Sequence, residues 1–225
     1  MLVATGVLFL ALNSFRLDVG SEPAAGLAFP IVGALIMSRR PGNRVGWLVS
    51  GIGVLLGAEL AAAQYAAWGT AAARVPPPGV VWAAWATEWL WIPPMGVVLT
   101  LLLLVFPTGR LPSRRWVPVG WSALLGIGCL SAAAALQPGP LGDFQGLRNP
   151  LNPSGPEPDP ALPLLVTPAL TVTLALTTVG LWSLVRRFHR ARGTERAQVK
   201  WFAFGGLATI VEIAGATALD LRGGL

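Results

Sequence analysis

The sequence predicts an all-α fold, a polytopic bundle of about seven membrane-crossing helices with its amino terminus in the cytoplasm. Three observations carry that expectation. The 225 residues are 54% hydrophobic and only 12% charged, with a mean hydropathy of +0.64. A soluble domain carries roughly 25% charged residues, so at half that density lipid must cover much of the surface. The apolar residues fall in long runs separated by short polar segments. Arginines gather in every second gap, the pattern by which a polytopic membrane protein records its orientation.

The runs, in order, are 1–15, 22–38, 45–68, 80–106, 116–136, 162–185 and 201–219. Most approach the roughly 20 residues that a spanning helix needs. The first lacks a basic leading region, and its exit, Asn13-Ser14-Phe15-Arg16, is a poor cleavage site, so it reads as a helix and not as a signal peptide. The third contains Gly53-x-x-x-Gly57, a spacing that lets helices approach closely within the bundle. The fourth is interrupted by Pro93-Pro94, which remove two backbone donors and so kink the helix. That kink reads either as a hinge or as a static bend. The fifth holds Cys129, the single cysteine, so no intrachain disulfide can form.

The charges assign the connectors to two sides. The segments Arg39–Arg44, Arg110–Arg115 and Arg186–Lys200 hold twelve of the sixteen Lys and Arg, with Glu195 their only acid. The remaining connectors and the tail hold Arg16, Arg74, Arg148 and Arg222, together with Asp18, Glu22, Asp143, Glu157, Asp159 and Asp220. The positive-inside rule then places the three basic loops in the cytoplasm and residues 137–163 outside. That outer loop, rich in Pro, Gly and Asn, predicts an irregular extracytoplasmic segment. Residues 186–200 form a cytoplasmic basic linker, with Gly193 as a helix stop and Thr194 as the following N-cap. Trp47, Trp116, Trp182 and Trp201 near one set of helix ends, and Trp68, Trp82 and Trp85 near the other, form two aromatic belts at headgroup level.

Nucleic acid is excluded as a partner, because the net charge of +6 is confined to short loops between apolar runs and forms no basic patch on a folded surface. No phosphate-binding glycine loop, nucleophile elbow or zinc signature occurs, so no catalysis, cofactor or metal is expected. His189, the only histidine, lies among arginines and has no ligand partners for a metal.

Glu59, Glu88 and Glu212 lie within apolar runs. An ionisable group in hydrocarbon is costly and faces protein or water. At about 1.5 Å per residue they stand about 21, 27 and 17 Å from the basic ends of their runs. They are therefore candidates for a shared polar pocket opening outward, or else three separate residues near the outer headgroups. Pro93 and Pro94 are the candidate hinge. Arg186, Arg187, Arg190, Arg192, Glu195, Arg196 and Lys200 are the candidate signal-coupling loop, with contact to lipid headgroups as the plainer role.

Arg39-Arg40-Pro41-Gly42-Asn43-Arg44-Val45-Gly46-Trp47-Leu48 resembles an inner loop of a group of bacterial membrane sensor histidine kinases. Leu104-Val105-Phe106-Pro107-Thr108-Gly109-Arg110-Leu111-Pro112-Ser113-Arg114-Arg115-Trp116 is similar to their second inner loop and is the most specific match. Asn149-Pro150-Leu151 resembles their outer-loop motif, with Asn152 where glycine is usual, and Arg187 to Trp201 is similar to their third inner loop. Ser38–Trp47 also echoes Ser113–Trp121 with one residue removed. The resemblance spans about residues 30–205. It implies a membrane-embedded signal-input domain in a bacterial inner membrane, working with a cytoplasmic kinase module or response-regulator system, with a homodimer left open. No position matches a kinase motif, so a truncated or solitary input module without enzymatic activity is expected. A small-solute transporter or transporter subunit is the alternative, for which intramembrane glutamates and a kinked helix would also serve.

Overall fold

Apolar runs of this length can satisfy their own backbone polar groups in only one way, by forming helix. The computed structural model describes residues 22–72, 77–111, 113–142, 144, 146–152, 161–190, 193, 196–197, 200 and 204. The expected runs 1–15 and 201–219 lie outside these residues, apart from Phe204, which is helical. The elements are α1 (Glu22–Arg39), α2 (Arg44–Ala72), α3 (Val80–Leu90), α4 (Ile92–Val97), a π-helical turn (Val98–Leu102), α5 (Leu103–Val105), a 3-10 turn (Arg114–Trp116), α6 (Val117–Ala135) and α7 (Ala161–Arg190). Among the described residues there is no strand, only an isolated bridge between Pro140 and Arg148.

Four helical stretches are long and apolar enough to cross a membrane: Arg44–Ala71, Val80–Val105, Arg114–Ala135 and Leu162–His189. A shorter apolar stretch, Ala28–Arg39, lies in α1. The described residues are thus all-helical in their regular structure, with four helices suited by length and composition to cross a membrane. Two helices overrun the expected spans. α2 continues to Ala72 beyond the expected 68, and α7 runs 30 residues to Arg190 beyond the expected 185. The apolar run measures the hydrocarbon, whereas the helix continues until a turn residue stops it.

Small residues set the spacing between the helices. Gly33 of α1 lies against Ser50 and the Gly46 carbonyl, Gly53 against Pro30, and Gly46 against Ile36 and Met37. A Cβ at any of these three positions would collide with the neighbouring helix. Pro30, inside α1 and buried, fits because α2 has no side chain at Gly53. The same device recurs along the bundle. Gly69 of α2 meets Val80, Gly96 of α4 meets Ile127 of α6, Gly126 of α6 meets Thr173 and the Ala169 carbonyl of α7, and Gly180 of α7 meets Leu103. Lipid tails are as apolar as leucine, so close packing is the main force that can hold such helices together. Gly57, the second glycine of the expected pair, faces open space. The working spacing is therefore Gly46-x6-Gly53 and not Gly53-x3-Gly57.

The chain divides into two compact units, Met1–Gly180 and Leu181–Leu225, with α7 running through the division. In the second, Arg186 stacks 5.3 Å above the Trp182 ring and Arg196 lies 5.0 Å from the centre of the Phe188 ring. Gly193 has φ 58°, and the Ala197 amide donates to its carbonyl at 3.3 Å, so a new helical turn follows the stop that the sequence marks.

The glycine pair separates packing from intrinsic propensity. Gly57→Ala gains about 1 kcal/mol of helix propensity at no steric cost. Gly53→Ala forces a methyl into the Pro30 ring, for which overpacking costs about 1–3 kcal/mol. Thermal melts in one detergent should show Gly53→Ala below wild type and Gly57→Ala at or above it.

Candidate functional site

Two of the basic loops meet. After α1 the chain turns through Arg40–Asn43, closed by the Asn43 amide donating to the Arg40 carbonyl at 2.9 Å. Asn43 then caps α2, its Oδ1 accepting the Val45 amide at 3.0 Å. This satisfies one of the donors that a helix start leaves open. The second loop begins as α5 ends at Val105. The Phe106–Pro107 bond is cis, and the Gly109 amide returns to the Val105 carbonyl at 2.8 Å. Gly109 is buried with φ 71°, and a Cβ there would run into the Asn43 carboxamide and the Arg44 amide nitrogen. Only glycine meets both demands, a left-handed backbone and contact with a neighbouring loop. The two motifs most characteristic in the sequence are therefore parts of one assembly. Arg39, Arg40, Arg44, Arg110, Arg114 and Arg115 are all exposed around it. The Trp47 indole, 64% exposed, donates to the Pro41 carbonyl at 3.4 Å.

The long crossing that leads to this assembly is interrupted twice. Pro93 and Pro94 follow the first residue of α4 and bring no amide hydrogens, so α3 ends at Leu90 and the ladder restarts past Trp91. Below the break, residues Val98–Leu102 form a π turn, and Thr100, fully buried, donates its hydroxyl to the Gly96 carbonyl at 2.7 Å. Such turns insert an extra residue and recur at functional sites. The break lies where the candidate hinge was expected, and the π turn has no signal in residue type that would have found it.

At the opposite end, the described residues between 136 and 152 hold no helix or strand, yet they are tightly tied, and α7 already begins at Ala161, inside the expected loop 137–163. Asn149, 2% exposed, donates from Nδ2 to the Ala135 and Gln137 carbonyls, both at 2.8 Å, and accepts the Leu151 amide at 2.9 Å. Asn152 donates to the Leu136 carbonyl at 3.2 Å. Two asparagines thus occupy three successive carbonyls at the helix end, where the helix supplies no partners of its own. The arms close on one another, the Leu141 amide to the Leu147 carbonyl at 3.0 Å and the Asn149 amide to the Gly139 carbonyl at 3.1 Å. The folded loop packs Leu141 against Ala66 of α2 and Ala84 of α3, with Trp85, Phe144 and Leu147 around them.

Two side chains of α3 hold the loop in place. The Trp85 indole donates to the Ala135 carbonyl at 2.8 Å, and Glu88 Oε1 accepts the Gly142 amide at 2.8 Å. Trp85, expected in the belt, thus forms a tertiary contact. Trp68, Trp82 and Trp182 are more than half exposed.

The carboxylates expected to share a pocket are placed as follows. Glu88 is engaged by the loop, Glu59 is half-buried on α2, and Glu212 lies outside the described residues. A cavity of about 780 Å³ opens between α4, α6 and α7, lined by Met95, Leu99, Ile127, Leu130, Val166 and Leu170 among others, and neither Glu59 nor Glu88 lines it. No group of His, Cys, Asp and Glu suited to a metal occurs among the described residues. Of the candidate coupling loop, Arg186 stacks on Trp182 and Arg187 donates to the Ser183 hydroxyl at 3.2 Å. Arg196 stacks on Phe188, Lys200 is helical and exposed, Arg190 ends α7, and Arg192 and Glu195 lie outside the described residues.

No protein-family model, curated protein or solved structure matches the chain.

Asn149→Ala strips the Asn149 donor from the Gln137 carbonyl and leaves the Ala135 carbonyl with Trp85 alone; an acceptor left bare costs about 1–3 kcal/mol, so the melting temperature should fall. Asn149→Asp, which turns a carboxylate toward the same carbonyls, should cost at least as much. Melts indistinguishable from wild type for both would refute the capping role.

Proposed function

We propose that the chain is the membrane-embedded input part of a two-component signalling system, similar in kind to the input region of bacterial sensor histidine kinases. It has seven spans in the bacterial inner membrane, and its amino terminus and three basic loops are cytoplasmic. The observation that supports this reading is the docking of Gly109 on Asn43 and Arg44. The two segments that carry the resemblance belong to one assembly, and the crossing that ends there begins at Trp85 and Glu88, which grip the loop at the other face. A receiver of external signals needs such a connection. The transporter reading draws less support, since Glu88 is occupied by a backbone amide and the cavity between α4, α6 and α7 is apolar.

Orientation has a direct test. A cytoplasm-active reporter fused after Arg115 should be active, and the same reporter fused after Pro153 silent. Activity at both positions would break the proposed topology.

The signalling role is tested by fusing a histidine-kinase catalytic module after Lys200 and measuring autophosphorylation in inverted membrane vesicles. Glu88→Ala and Gly109→Leu should each change the rate about fivefold or more, the lower range of ordinary coupling free energies, at equal membrane levels. Rates equal to wild type in both variants would remove the input reading.

A further inference from the structure

We propose that the docked pair of basic loops is a binding site for the phosphate headgroup of an anionic phospholipid. The site is built by tertiary contact and not by sequence proximity. Gly109 abuts Asn43 and the Arg44 amide nitrogen, so Arg110, the next residue in the chain, follows directly on the backbone that meets Arg44. Arg39 and Arg40 precede the first turn, and Arg114 and Arg115 follow the second loop. No Asp or Glu occurs in residues 39–44 or 107–115. None of the six guanidinium groups has an ion pair or hydrogen bond among the described residues. The start of α2 adds the positive end of a helix dipole to the same place. A cluster this positive and this unpaired calls for an anion.

The surroundings identify the anion as part of an amphiphile. Arg39, Leu35 and Ile31 recur at intervals of four, so they share one face of α1, and Leu35 and Ile31 are 56% and 58% exposed. This stripe presents a charge at the helix end and an apolar track leading from it toward the bilayer interior. Trp47, exposed and held by the Pro41 carbonyl, stands beside the cluster as an indole at headgroup level does. An acidic peptide would use the arginines but has no use for the apolar track. A lipid uses both, its phosphate on the guanidinium groups and an acyl chain along Leu35 and Ile31. Basic sites between helices at a membrane face bind anionic headgroups in this way.

This assignment does not depend on the signalling role. It is tested on the full chain in nanodiscs holding equal amounts of phosphatidylglycerol and phosphatidylcholine, followed by native mass spectrometry of the released protein. Wild type should retain phosphatidylglycerol preferentially. The double variant Arg44→Gln/Arg110→Gln should lose about tenfold or more of that preference, as the loss of two charge-assisted hydrogen bonds to one headgroup predicts. Arg186→Gln/Arg187→Gln removes equal charge elsewhere, loses only diffuse attraction and should cost clearly less of the preference. Gly109→Leu keeps every arginine but separates the loops, and should also lose the preference. If Gly109→Leu does not fold, the two double variants decide. Equal losses in the two double variants, or full retention in a folded Gly109→Leu, would mean diffuse charge attraction and overturn the site. Binding of polyglutamate in phosphatidylcholine discs, with the same variant pattern and no lipid preference, would overturn it as well.

Discussion

A bundle in an apolar surround has no water to satisfy a backbone that leaves the helix, and the rest of this structure depends on how that constraint is met. Three departures from regular helix among the described residues bring their own replacement partners. Where α6 stops, Asn149 and Asn152 take the Ala135, Leu136 and Gln137 carbonyls. Where α2 starts, Asn43 takes the Val45 amide, and where α5 stops, the Gly109 amide turns back to Val105. Within α7 the hydroxyls of Thr171, Thr173, Thr177 and Thr178 each donate to the carbonyl four residues earlier, which lets polar residues stand in an apolar helix. The apolar runs bring the chain into the membrane, but these bonds decide where each helix ends and which loop lies over it.

Association of the helices follows a different rule from that of a soluble core. Many large apolar side chains face outward, Leu164 at 76% and Leu125 at 70% exposure among them, although Leu104 and Ile52 are buried. The buried positions include Ala66, Ala84, Ala123 and Gly126, which carry little side chain. Leucine gains nothing by leaving lipid for protein, whereas two backbones brought together by small residues gain dispersion contacts that lipid cannot match. Pro30 against Gly53 shows the consequence. A proline that weakens its own helix is accommodated because the neighbour is shaped to receive it.

Run lengths in the sequence disclose the spans of α2, α3–α5, α6 and α7 to within a few residues, because hydrocarbon thickness acts on each helix separately. Gly193 as a stop is equally legible, since φ 58° is a local demand of the backbone. What the sequence does not disclose is pairing between distant segments. Gly109 reads as a turn residue, and nothing near it in the chain says that Asn43 fills the space beside it. Asn149 reads as a loop polar residue, and its burial follows from carbonyls twelve and fourteen residues away. Trp85 reads as an interfacial ring because its partner, the Ala135 carbonyl, lies fifty residues on. Glu88 reads as a pocket carboxylate for the same reason, its acceptor role being set by Gly142.

The crossing from Val80 to Val105 joins the two constructions, and its interruptions bear on how. A continuous helix would fix the rotation of Glu88 relative to the chain entering the 107–109 turn. The proline break and the π turn release that fixed phase, since one loses ladder bonds and the other inserts a residue. The released segment is not left loose. Gly96 sits against Ile127, and Thr100 closes on the Gly96 carbonyl. The packing therefore favours a set offset over a freely swinging hinge. With the phase released and the position held, α3 can meet the geometry of the 137–152 loop while the chain below meets that of Asn43. The contact of Gly96 with Ile127 and the Thr100 bond lie between the two ends and hold the intervening segment in position.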